Sequence, residues 1–348
     1  MRRFLPIAFA LLVSLPASGA GFHALSLPGS QLAALSADGR SAAGSLVGGA
    51  SGGFVWHEGD APTLLPGAMS VRAISPNGAY VAGSSLDASQ HEVATWWDTD
   101  GTVHGLGGLP GANAQAGVLS VAYGITDQPH VVGTAVNAQR QDVAFAWTSN
   151  DGLRLLASPG TASGATGISS DGRRIYGWSE RADATRRGVL WSQGRICCTV
   201  DTGAAPNELV GANRGATFLL GFDTDASFIW TPDAEPARVA LADASSPAPM
   251  RFTAGSDDGR VLAGTAGSGA QRIALIRTEA SGVERLDTFL AEHGIAIPRG
   301  WTLIAATAVS ADGSRIAGFG LDEGRFDSFV IDLPRGVIDA AAPNHTAP

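Results

Sequence analysis

The sequence predicts an all-β fold: a seven-bladed β-propeller of four-stranded blades, closed by an N-terminal strand. Three observations carry that expectation. A phrase of small residue, apolar residue, hydroxyl or amide residue, turn and glycine recurs seven times. It runs from Ala34-Leu35-Ser36…Asp38-Gly39…Gly44 to Val309-Ser310…Asp312-Gly313…Gly318. Its closing residues, Gly44, Gly83, Gly133, Gly177, Gly221, Gly264 and Gly318, recur about every 46 residues, the span of a propeller blade. A second signature follows each of them: Trp56, Trp96, Trp147, Trp191 and Trp230 hold one repeat position, which Ile276 and Ile331 take in the last two units.

Within a unit, the first strand ends at the hydroxyl residue. Asp-Gly or Asn-Gly then turns the chain, because these residues tolerate positive φ. The second strand alternates apolar residues into the glycine, as in Tyr80-Val81-Ala82-Gly83. The third carries the tryptophan, placed in the packing between blades. The fourth is short and leucine-rich, as in Leu64-Leu65 and Leu153-Arg154-Leu155-Leu156. Ala34, Ala73, Gly124, Gly167, Gly211, Ala254 and Ala308 mark the innermost strands, where crowding at an axis favours small side chains. A helical period is confined to residues 284–293. Residues 22–27 resemble an orphan fourth strand, and pairing it with the last blade would hide two sheet edges.

Met1-Arg2-Arg3, the apolar run Phe4–Pro16 and the small residues before Gly21 read as a secretory signal peptide, residues 1–20, cleaved after Ala20. That run is too short to span a membrane. The expected product is secreted or periplasmic, with the propeller over 21–333 and a disordered Ala/Pro-rich tail over 334–348. Losing Arg2 and Arg3 makes the chain two units more negative than its formal −9, and it contains no lysine. Such a surface argues against nucleic-acid partners and anionic membranes. No membrane insertion is expected, and the expected state is a monomer.

Cys197 and Cys198 are adjacent. Neighbouring Cα atoms lie about 3.8 Å apart, below the usual disulfide span of about 4.4–6.8 Å. A vicinal disulfide would be strained, though export makes it accessible. The alternative is two thiols pointing to opposite faces of one strand.

With these units aligned, the chain resembles the HAF repeat family of extracellular proteins. Ala122…Ile125…Val131-Val132-Gly133, Ala144-Phe145-Ala146-Trp147 and Leu106-Gly107-Gly108-Leu109 carry the likeness, as does the final segment Gly300-Trp301-Thr302-Leu303…Asp312-Gly313. It covers nearly all of the chain after residue 20. It implies export and a propeller, and supplies no catalytic residues. Units five to seven depart from its pattern, at 213–216 and at Ile276 and Ile331. The turn Ser75-Pro76-Asn77-Gly78 is also similar to those of TolB-type periplasmic propellers, but the glycine and tryptophan that follow favour the first family.

No residue set reads as catalytic. Repetition of Ser-x-Asp-Gly marks it as turn chemistry rather than a nucleophile, which needs one special copy with a base beside it. The seven histidines show no metal-ligand spacing, and neither metal nor cofactor is expected. Counting back from each closing glycine gives a ring at the start of the inner strands: Gln31, Ser70, Ser120, Gly164, Glu208, Arg251 and Ala305. Arg72 lies just inside it and Trp301 sits in the longest insertion. Gln31, Arg72, Glu208, Arg251 and Trp301 are therefore the candidate ligand residues, and their mixed charges suit a neutral or polar ligand such as a saccharide better than a polyanion. The expected function is that of an exported binding or scaffolding module with a polysaccharide or protein ligand. The rival is a channel-sited hydrolase or lyase acting on an extracellular polymer.

Overall fold

Seven four-stranded antiparallel sheets stand in a ring, as a β-propeller. The computed structural model describes residues 21–48, 52–98, 100–112, 117–204, 206–224, 226–239, 249–334 and 336. Residues 1–20, expected to be a signal peptide, and all of the expected tail beyond 336 lie outside them. Six blades run in chain order from inner to outer strand. In the first these are Ser30–Leu35, Ser41–Leu46, Gly52–His57 and Thr63–Leu65. The seventh takes its inner three strands from Trp301–Val309, Arg315–Asp322 and Arg325–Asp332. Its outer strand is Gly21–Ala24, antiparallel to the last of these, with Gly21 opposite Asp332 and Ala24 opposite Phe329. The helical period is a short helix, Leu286–Glu292.

The repeat has a steric cause. Each inner strand carries a β-bulge one residue before the small residue, at Ala33, Arg72, Tyr123, Thr166, Val210, Thr253 and Thr307. Just before each bulge, an inner-strand carbonyl is pressed against the closing glycine. A Cβ on Gly44 would collide with the carbonyl oxygen of Gln31, and one on Gly318 with that of Ala305; the other five closing glycines meet the same obstacle. The small residues Ala34 to Ala308 all line a narrow axial channel of about 230 Å³.

The core is divided into seven apolar clusters, one at each blade interface. Trp97 with Val71 and Val55 fills the first–second joint, Trp191 with Val132 and Ala165 the third–fourth, and Phe329 with Leu303 and Ile276 the sixth–seventh. Where the seventh blade meets the first, Arg315 is buried. Its Nε donates to Asp332 (2.6 Å), its NH1 to the carbonyl of Gly39 (3.1 Å), and its NH2 pairs with Glu58. His23 Nε2 lies 2.9 Å from the same Asp332 carboxylate, which ties in the N-terminal strand.

The Ser-x-Asp-Gly turns close on themselves. Ser36 Oγ donates to Asp38 (2.6 Å), the Arg40 N–H also donates to Asp38 (3.0 Å), and the Ser41 N–H donates back to Ser36 Oγ (2.9 Å). The same set recurs at Ser169–Asp171 and Ser310–Asp312. These hydroxyls and carboxylates are thus spent on the hairpin.

Two outcomes follow for stability. Deleting residues 21–29 strips the outer strand from the seventh blade and His23 from Asp332; the thermal midpoint should fall by several degrees or more. An unchanged midpoint would show that this pairing contributes nothing. Second, the Ser169 hydroxyl and the Arg173 N–H hold the Asp171 carboxyl below its usual 3.8. Because the folded value is depressed, the turn's contribution is present above that pH and is lost as pH falls through the folded value. Asp171→Asn should lower stability near neutrality and converge on the parent in acid, as read by denaturant titration.

Candidate functional site

The start face of the ring brings two of the five candidate residues into one cleft. It holds about 420 Å³ between the fourth, fifth and sixth blades and is lined by Arg186, Asn207, Glu208, Phe222, Met250 and Arg251. Glu208 opens the inner strand of the fifth blade, and register sets Phe222 directly opposite it. Arg251 lies in the inner strand of the sixth blade. Its guanidinium stacks 3.7 Å from the centroid of the Phe222 ring. Arg186, from the third strand of the fourth blade, stacks at the same distance on Trp178 and donates to Glu208 at 3.0 Å.

The two arginines differ in what they still offer. Arg186 has its carboxylate. Arg251 has an aromatic face and, among the described residues, no hydrogen-bond acceptor. A guanidinium held flat on a ring keeps its N–H edges outward and loses little freedom when an oxyanion arrives. Nearby Asp223 is occupied by Arg238 at 3.0 Å. The cleft is therefore a polar pocket with one open cationic edge beside one ion pair.

The other three candidates lie elsewhere. Gln31 is half-buried at the start of the first blade, and its carbonyl abuts Gly44. Arg72 is the bulge residue of the second blade, 5.8 Å from the ring of Tyr123, which lines the axial channel. Trp301 is half-buried and packs edge-on to Phe22 (5.0 Å) and Phe329 (6.1 Å), so its indole covers the seventh blade's outer joint. Among the remaining ring positions, Ser120 works as a staple: it accepts the Ala94 N–H (2.8 Å) and donates to the Gly107 carbonyl (2.6 Å).

Sequence reasoning missed Arg186, Trp178 and Phe222. They sit on second and third strands, outside any count along the inner strand. The register pairing Glu208 with Phe222 was recoverable from the hairpin between them.

Cys197 and Cys198 are free thiols on the outer strand of the fourth blade, with Sγ atoms 3.2 Å apart. A register shift pairs Leu190 with Cys198 and Trp191 with Ile196, leaving Cys197 as the bulge. That breaks the alternation which would have sent the two sulfurs to opposite faces. Burial pushes the Cys198 thiol up to about 11, away from thiolate reactivity at neutral pH.

Among the described residues, no group of three or more His, Cys, Asp or Glu side chains is placed to hold a metal ion, and no helix is long and apolar enough to cross a membrane.

No protein-family model and no curated protein matches the chain. Among solved structures it is similar to an oligogalacturonate lyase in complex with manganese, with a TM-score of 0.57 at 12% identity, over 92% of this chain and 95% of that one. It is also similar to TolB from Acinetobacter baumannii, with a TM-score of 0.47 at 11% identity, over 84% of this chain and 80% of that one. At such identities the first likeness shows the propeller fold alone.

The tryptophan position is not uniform. Trp191 is fully buried and donates to the Ala157 carbonyl at 2.7 Å. Trp147, expected in the same inter-blade core, is only half-buried, because it lines an open cleft on the turn face. Trp191→Ala should cost about 3–5 kcal/mol of unfolding free energy, and Trp147→Ala clearly less. Equal losses in chemical denaturation would contradict the different exposure of the two indoles.

Proposed function

We propose that this protein is an exported binding module that holds a polar, carboxylate-bearing ligand at the start face of its ring. The observation that carries the reading is Arg251, stacked on Phe222 with its N–H edge unengaged, next to the Arg186–Glu208 pair. An acidic saccharide fits this chemistry: its carboxylate meets the open guanidinium of Arg251. A single open cationic edge on an acidic protein suits one carboxylate at a time rather than a dense polyanion. An acidic side chain on a protein ligand would satisfy the same edge. Export rests on the character of residues 1–20, and membership of the HAF repeat family on the motif.

The hydrolase or lyase alternative needs a free base at the mouth. The described cleft offers Glu208, already engaged by Arg186, and Asp223, engaged by Arg238. Resemblance of fold to a lyase does not transfer its chemistry.

The test is calorimetric titration of the chain from residue 21 with galacturonate oligomers and with neutral galactose oligomers. Acidic oligomers should bind and neutral ones bind more weakly. Arg251→Met keeps an apolar stem on Phe222 but removes the charge-assisted bond, so affinity should fall about 10- to 100-fold with the thermal midpoint held. Asp38→Asn, in a turn on the opposite face, should leave affinity unchanged. Equal affinity for both oligomers, or an Arg251→Met variant that binds like the parent, would refute the reading.

A further inference from the structure

We propose that the opposite, turn face carries a second binding site, specific for an organic cation of the quaternary ammonium class. The site is a cleft of about 840 Å³ over the third blade, reaching the second blade on one side and the turn of the fourth on the other.

It lies where the ring's own stitching is open. Around the turn face, successive blades are joined through the residue that follows the motif hydroxyl, or its neighbour. The Ala37 N–H donates to the Pro76 carbonyl (2.7 Å), Ser170 to Arg214 (2.8 Å), Asp257 to Ala311 (2.8 Å) and Ala311 to Ala37 (2.8 Å). Two further joints use carboxylates: the Asn77 N–H donates to Asp127 Oδ1 (2.8 Å), and the Arg214 N–H to Asp257 Oδ1 (3.1 Å). Among the described residues no such bond links Asp127 to Ser170, so the third and fourth blades alone lack this joint. The third blade's turn is also one that has lost Asp-Gly, reading Thr126-Asp127-Gln128-Pro129. The repeat is broken in sequence and in bonding at one place, and the cleft opens there.

The lining has a consistent chemistry. Trp96 and Trp147 stand 6.4 Å apart at 46°, an angled aromatic wall in which Trp96 is stacked on His104 at 3.7 Å and Trp147 is the half-buried ring that the cleft reaches. Asp98, Asp127, Asp151 and Asp171 supply carboxylates, and no arginine lines the cleft. Asp151 and Asp171 are shared with Arg154 (2.5 Å) and Arg173 (3.9 Å), both exposed. Asp98 meets only the His104 Nε2 (3.0 Å), and Asp127 only the Asn77 N–H. Burial holds the half-buried His130 imidazole below its usual range, so it adds no positive charge near neutrality. Asp98 thus faces the cleft without a permanent cation, while Asp127 shares the field of Arg214. The indole N–H of Trp96, in a residue nine-tenths buried behind this wall, has no acceptor among the described residues. Aromatic faces beside carboxylates select alkylated ammonium groups.

Choline is the probe, titrated into the chain from residue 21 and followed by tryptophan fluorescence and calorimetry. Saturable one-to-one binding is expected. Asp98→Asn with Asp127→Asn keeps an acceptor oxygen for His104 and for the Asn77 N–H but removes both charges; it should weaken choline about tenfold or more. Trp147→Ala should do the same, whereas Arg251→Met, on the other face, should not. The neutral isostere 3,3-dimethylbutan-1-ol should bind far more weakly. The proposal fails if choline does not saturate at millimolar concentration, if the folded double variant binds like the parent, or if the isostere binds equally well. Failure of galacturonate binding at Arg251 leaves these outcomes untouched.

Discussion

Crowding at the axis is the constraint from which the rest of the molecule follows. Seven inner strands must approach one line, so each carries Ala or Gly on the channel side. Each also bulges, and the bulge drives a carbonyl into the neighbouring strand where only a glycine leaves room. The most visible sequence feature, the closing glycine, is therefore the imprint of a backbone collision avoided rather than of a turn. The turn glycines have a different origin: Gly39, Gly78, Gly172, Gly259 and Gly313 adopt positive φ in the hairpins. Two kinds of glycine, one steric and one conformational, share each repeat.

With the axis fixed, stability comes from the joints between blades. Apolar clusters fill all seven, but their polar fastenings differ. The seventh–first joint has the buried Arg315, bonded to Asp332, Gly39 and Glu58, and so draws three distant stretches of chain together. A buried arginine is tolerated because its donors are matched; one missing partner would leave charge stranded in a dry interface. The third–fourth joint has apolar packing around Trp191 but, among the described residues, no turn-face bond. The ring is thus unevenly fastened, most heavily where its two ends meet.

The fold was legible because steric demands repeat, and repetition multiplies a weak signal. Blade number, strand order and outer leucines all come from features present in several copies, while the short helix, Leu286–Glu292, shows in its own local period. The candidate cleft was only half legible. Glu208 and Arg251 emerged because a count from the closing glycine is a count of register. Trp301, chosen for its place in the longest insertion, lies folded onto Phe22, a contact between residues far apart in the chain that no local spacing reveals. Trp147 shows the limit of a consensus position. The five tryptophans share a place in the strand, but their exposure differs, and Trp147 borders the open cleft that the fourth blade's turn also lines. The geometry of Cys197 and Cys198 depends on a bulge that two adjacent letters cannot reveal.

A ring of near-identical blades tends to present the same chemistry seven times, and a specific site requires that symmetry to fail locally. In this chain it fails with opposite sign on the two faces. On the start face the departures are arginines: Arg186 and Arg251 lie flat on aromatic rings, leaving one cationic edge open. On the turn face the departure is the lost Asp-Gly of the third blade, where Asp127 follows the motif hydroxyl and takes the Asn77 N–H. In the intact copies the carboxylate two places after the hydroxyl is consumed by its own serine and backbone, as at Asp38 and Asp312, whereas Gln128 stands at that place in the third blade. In a repeat protein the internal copies serve as the reference: positions where one blade departs from the others, and where the side chain found there faces open space, are the places to look for recognition.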